Sequence, residues 1–209
     1  MVRRKLIIGV LALTAVGGAL AVYPPAGPRS MRIFDADRTA ALEMDMWQAY
    51  YRKENMRLFR GLVTLLHEQY RYSWAKATTA GFYLARAAAT FGNARDRYER
   101  VLPDLERAYT IARDWTGAGF DPAAVSRAEL AWWVARRIPG QNSPDQVGAL
   151  IADEYALLYE VPRDRVLTAA VLRARAGRLR DDGGDHADWP AVSALLFESY
   201  RELHKAVAP

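Results

Sequence analysis

Between Asp37 and Tyr70 the chain runs for roughly 34 residues with no proline and one glycine, Gly61, and as a single α-helix it would reach about 50 Å. An apolar line descends through Ala40, Met44, Trp47, Tyr51, Leu58, Leu62 and Leu65. Steps of three, four and seven keep one helical face turned inward. Asp35 and Asp37 stand where a short carboxylate can accept from the free N–H groups of a first turn. One slot interrupts the line: between Tyr51 and Leu58 the inward position falls on Glu54 or Asn55. A more polar line runs beside it, through Glu43, Tyr50, Glu54, Arg57, Thr64 and Glu68. The pattern predicts a long spine helix, and with it an all-α domain packed around that helix.

Proline and glycine divide the rest of the chain. Ser73 to about Phe91 carries Trp74, Ala77, Gly81, Leu84, Ala88 and Phe91 on one side, and Gly92-Asn93 ends it. Ala94 to Trp115 is again helical, but Pro103 lies inside it, so a kink or two shorter helices are expected. Asp121-Pro122 and Ser143-Pro144 each place a capping side chain before a proline at the first helical position, where its missing N–H costs nothing. Further helices are expected from Pro162 to about Arg180 and from Trp189 to about Val207, separated by an acidic turn at Asp181–Asp188. No alternating β pattern and no fixed-period repeat interrupts them. The expected fold is all-α, an irregular bundle of about seven helices around one long helix.

The N-terminus has a different character. Arg3, Arg4 and Lys5 precede Leu6–Tyr23, an uncharged run of about 18 residues that would span about 27 Å as a helix. The basic flank predicts a cytoplasmic N-terminus with the domain outside. Gly17-Gly18 and Ala19-Leu20-Ala21 would equally serve a signal peptide removed after export. The chain therefore divides into residues 1–23 as signal-anchor or signal peptide, 24–34 as a proline-rich spacer, and 35–209 as a single helical domain. The expected location is a membrane, with the domain on the outer face of a bacterial inner membrane; secretion after cleavage is the alternative.

Three of the five units of net positive charge sit at Arg3, Arg4 and Lys5, and the rest of the chain is nearly balanced. That balance argues against nucleic acid as a partner. There are no cysteines, which excludes thiolate chemistry. Motifs for zinc proteases, nucleotide loops, dinucleotide folds and nucleophile elbows are absent. So are the paired Glu-x-x-His motifs of di-metal bundles; no metal is expected, and no cofactor can be named.

Carboxylates on apolar faces remain. Glu154 lies among Val147, Leu150, Ile151, Tyr155 and Leu158. Glu129 precedes Trp132 and Trp133 by one helical turn, and Glu54 fills the odd slot of the spine. Buried carboxylates need partners or a raised pKa, and Arg57, Arg71, Arg136, His67 and Tyr50 are on hand to partner them. Two readings follow. In one, these residues form structural ion pairs that set helix register, with Glu54 at the edge of its stripe paired with Arg57 or Arg60 in water. In the other, Trp47, Tyr51, Glu54, Arg57, His67, Glu129, Trp132 and Glu154 assemble a ligand pocket, walled also by Trp133. His67, flanked by Val63 and Tyr70, fits a packed histidine as readily as a ligand. The arginines of the helix around Arg163–Arg180 read as a solvated face or a surface for lipid head groups. The expected role is binding or assembly without catalysis, with a protein partner or a second copy as occupant. A ligand- or metal-binding enzyme using the glutamate–aromatic pocket is the alternative.

Overall fold

The expected spine is two helices, not one. The computed structural model describes residues 21–209, and within them α1 (Ala36–Tyr51) ends and α2 (Asn55–Glu68) begins across a three-residue turn. Lys53 adopts φ 59°, and the Glu54 N–H bonds the Ala49 carbonyl at 2.8 Å. The turn falls at the polar slot in the apolar line. A helix continued through Glu54 and Asn55 would lay charge on its packing face, whereas a reversal buries both stripes against each other. The two helices run antiparallel: Arg38 near the start of α1 pairs with Glu68 at the end of α2 at 2.9 Å, and the Asp35 N–H reaches Gln69 Oε1 at 2.9 Å. Where they meet, a Cβ on Gly61 would lie 2.5 Å from Met46 Cγ, so glycine permits the approach.

Six more helices follow: α3 (Trp74–Asn93), α4 (Leu102–Thr116), α5 (Pro122–Ala135), α6 (Pro144–Tyr159), α7 (Arg163–Gly183) and α8 (Trp189–Val207). Among the described residues there are eight α-helices and no strand, one helix more than expected because the spine divides. Local chemistry starts them where the sequence indicates. Asp35, Ser73, Asp121, Ser143 and Asp188 each accept a backbone N–H of the first turn. Ser143 and Gln146 complete a reciprocal capping box. Pro103 lies in the first turn of α4, preceded by a short 3₁₀ turn at Tyr98–Val101. The expected acidic turn is shorter than it looked, since α7 runs on through Asp181 and Asp182.

Among the described residues no helix takes a central position. Each helix packs chiefly on its neighbours in sequence, and α8 returns to pack on α1, which closes a ring. Arg201 of α8 joins Asp37 of α1 at 2.7 Å across that closure. Halves of the broken spine are two members of the ring, so its centre is left to side chains. Contact between α6 and α7 is intimate: a Cβ on Gly148 would meet the Val171 Cα at 2.8 Å. The segment 24–34 lies against the body. Arg71 Nη1 bonds the Ala26 carbonyl at 2.7 Å, Arg29 sits 4.0 Å over the Trp115 ring, and Phe34 is buried in the core.

The expected leader, and all but the last residues of the 6–23 apolar run, lie outside the described residues. Among the described residues no helix is long and apolar enough to cross a membrane.

Candidate functional site

Because the helices form a ring, one inward residue from each can reach the centre. There the helices leave two adjacent cavities that share part of their walls. An outer cleft of about 400 Å³ is walled by Trp47, Tyr50, Tyr51, Phe91, Trp132 and Trp133. An inner chamber of about 250 Å³ is lined by Tyr70, Tyr72, Tyr109, Tyr155, Tyr159 and Tyr200. Glu43, Glu129, Trp132 and Arg173 border both. The outer volume lies within the range of small-molecule sites, and its make-up, apolar walls with a few converging polar groups, is theirs too.

Two polar groupings meet at this border. The first is closed. Glu43 of α1 and Arg173 of α7 form a buried ion pair, with Arg173 Nη1 donating to Glu43 Oε2 at 2.6 Å. The Tyr200 hydroxyl donates to Glu43 as well, and Trp47 Nε1 donates to Glu43 Oε1 at 2.9 Å. The Arg173 guanidinium lies between two indoles, 5.6 Å from the Trp47 ring and 5.6 Å from the Trp132 ring. Burial alone would lower the Arg173 pKa, but the Glu43 carboxylate more than offsets it, and the guanidinium is held well above its usual value.

The second grouping is open. Tyr109 of α4 stands between Glu129 of α5 and Glu154 of α6, with its hydroxyl 2.8 Å from Glu129 Oε2 and 3.3 Å from Glu154 Oε1. Trp132 Nε1 donates to Glu154 Oε2. Among the described residues no cation lies within salt-bridge distance of either carboxylate. Burial, and for Glu129 the charge of Glu154 beside it, push both acids up, Glu129 to about 8 and Glu154 to about 7. The same burial and both carboxylates drive the Tyr109 phenol well above its ordinary range. A phenol has one proton to give. With carboxyls on both sides, its second contact is a hydrogen bond only when one of the acids is protonated. One proton between the two acids would satisfy both contacts, and acids this close titrate as a unit. Glu154 is sealed in, whereas Glu129 keeps accessible surface where it borders the chambers.

A polar latch crosses the rim. Arg136 Nη2 donates to Asp181 Oδ2 and to the Tyr51 hydroxyl, each at 2.8 Å, and the Tyr51 hydroxyl lies 3.1 Å from Asp181 Oδ1. Gly177 makes room for it, since a Cβ there would lie 3.1 Å from Arg136 Cζ. Arg180 covers the outer face of Tyr51 at 3.3 Å.

Of the eight residues expected in a pocket, Trp47, Tyr51, Glu129 and Trp132 line the outer cleft, and Glu154 lines the inner chamber. The other three lie elsewhere. Glu54 sits at the surface turn before α2, paired with Arg57 Nη1 at 3.0 Å and with its side chain 42% exposed. Arg57 also binds Asp45, its Nε reaching Oδ2 at 3.3 Å. His67 stacks on Trp74 with ring centroids 3.7 Å apart, and its Nδ1 lies 2.8 Å from the Tyr72 carbonyl. The chain reversal at residues 52–54 takes Glu54 and Arg57 out of the packing face, which is why the odd slot does not open into the cavity.

Sequence reasoning missed Glu43, Tyr109, Arg173 and Tyr200. Arg173 is no part of a solvated face. It shares an inward stripe with Val166, Ala169, Ala170, Ala176 and Gly177, and that spacing was the available signal. Glu43 likewise stands one helical turn from Ala40 and from Trp47. No protein-family model, no curated protein and no solved structure matches this chain.

Proposed function

We propose that this chain is a small-molecule-binding domain, without catalysis of its own, that its N-terminal leader holds at the outer face of a membrane. The aromatic cleft at the centre of the helical ring carries the reading. Its walls offer flat apolar surface to a compact ligand, and its floor offers a carboxyl and a paired guanidinium to orient one. The surface supports a ligand over a protein partner. Among the described residues the exposed large apolar side chains of α1–α8 are few: Met56 on α2, Trp74 and Phe82 on α3, eight positions apart, and Leu157 on α6.

The leader adds location. A basic flank followed by an apolar run of about 18 residues is the pattern of an anchor whose following domain is exported. Ligand capture next to a membrane is the resulting role. Native mass spectrometry of the full chain released from detergent tests it. A retained small-molecule adduct, lost on substituting Trp132 with alanine, is the expected result. An adduct-free protein whose tryptophan fluorescence responds to no small aromatic or apolar compound overturns the proposal. Fractionation of expressing cells tests the location, and recovery of the uncleaved chain in the cytosol would remove the tether.

A further inference from the structure

The inner chamber has an excess of acidic over basic side chains. Three carboxylic acids border it, Glu43, Glu129 and Glu154, against one guanidinium, Arg173. Arg173 is already committed to Glu43. The groups that face Glu129 and Glu154 from the surrounding elements supply no second cation. Tyr200 on α8 is bound to Glu43, and Tyr109 on α4 already stands between the two acids. From α6 come Tyr155 and Tyr159, from the link between α2 and α3 come Tyr70 and Tyr72, and α3 contributes only apolar side chains. Within the chamber wall the Tyr72 side chain is fully buried, and its hydroxyl has no hydrogen-bond partner. An orphaned buried hydroxyl costs stability.

These observations call for a positive charge brought in from outside, on a body that suits aromatic walls. Indole and phenol faces attract cations, and the effect strengthens once water is excluded. An ammonium has N–H groups to give to carboxylates. The outer cleft supplies the room, and it shares Glu129, Trp132 and Arg173 with the inner chamber.

We infer that the paired chambers bind a protonated amine on a compact apolar or aromatic body, with Glu129 and Glu154 as its counter-charge, and that the ammonium takes the place of the proton these acids share. This rests on the ligand-binding reading above and names the chemical class of the ligand. The exchange balances: the carboxylic acid gives its proton to solvent, the resulting carboxylate accepts from the ammonium, and no covalent bond to carbon changes. Binding therefore releases up to one proton for each amine bound. Affinity then falls on acidification, by at most about tenfold per pH unit while the pair is being protonated.

The test uses the full chain in detergent and three probes of similar shape: phenethylamine, phenethyl alcohol and phenylacetate. Calorimetry at neutral pH in two buffers of different ionisation heat counts the protons released. We expect the amine to bind at least about tenfold tighter than the alcohol, phenylacetate to bind weakest, and the apparent heat to depend on the buffer. Glu129→Gln removes the buffer dependence and the preference for the amine over the alcohol, and Glu154→Gln is the second variant should the first not fold. Equal binding of amine and alcohol, a buffer-independent heat, or amine binding unchanged in both variants overturns the inference and leaves the ligand-binding reading in place. Failure of all three probes to bind, with no retained adduct in native mass spectrometry, overturns both.

Discussion

Glu43 on α1 and Glu129 on α5 both border the chambers at the centre of the ring, one enclosed by partners and the other not. Glu43 receives a guanidinium, a phenol and an indole, and no acid competes for them. Glu129 receives one phenol, which it shares with a second acid on α6. Removal from water disfavours charge in both places. Only the first place answers with a fixed opposite charge, so the second answers with a proton. A closed ion pair of the first kind locks α1, α7 and α8 together. A shared proton of the second kind can be exchanged for something else, which is what a binding site requires.

The largest way to break this contrast is to remove the cation from the closed grouping. Arg173→Met leaves Glu43 buried without its charge partner and should lower unfolding free energy by about 3–5 kcal/mol in denaturant titrations. Adding Glu43→Gln to that variant should recover part of the loss, because the stranded charge is then gone.

The open grouping should respond in the opposite sense. Its two acids have folded-state pKa values of about 8 and about 7, raised from the ordinary 4.5. Between 4.5 and those values the folded protein binds more protons than the unfolded chain, so this contribution to stability is complete at acid pH and is lost as pH rises through about 7–8. Glu129→Gln relieves the conflict and should stabilise the protein by about 1–3 kcal/mol at alkaline pH, with little effect near the pKa of a free glutamate. Thermal melts of both proteins across that range would check it, and a stabilisation that does not vary with pH would count against the shared proton.

An effect of comparable size separates the two acids of the pair. Trp132→Phe keeps a ring in the wall but takes the indole donor from Glu154. It should cost about 1–3 kcal/mol and raise the pH at which the pair ionises, read by carboxyl NMR titration. The smallest effect is expected at Glu54. Arg57→Ala breaks its pair in open solvent, where an ion pair contributes little, and should leave the melting temperature unchanged within error.

How far the sequence could be read depends on the range of the physics involved. Helix starts are local: Asp35, Asp121 and Ser143 accept N–H groups two or three residues ahead, and prolines after the last two remove donors that have no partner anyway. Glu129, Trp132 and Glu154 were legible for a similar reason, since each interrupts or borders an apolar stripe on its own helix. Glu54 interrupts a stripe too and lies at the surface, because a polar residue in an apolar line can mark a turn as well as a buried charge. Lys53 in the left-handed region decides between them, and nothing about a lysine announces that conformation.

The amino-acid pattern by itself determined an all-helical chain with its boundaries close to where they are observed, because caps, prolines and apolar periodicity act within a few residues. Tertiary structure alone decided that α8 closes onto α1, that the described interior is therefore a chamber and not a central helix, and that Arg173 pairs with Glu43 and leaves Glu129 and Glu154 without an ion-pair partner among the described residues. Those outcomes join residues more than a hundred positions apart. Their energies come from desolvation and charge pairing in a shared interior, and that interior comes into being only once the ring has closed.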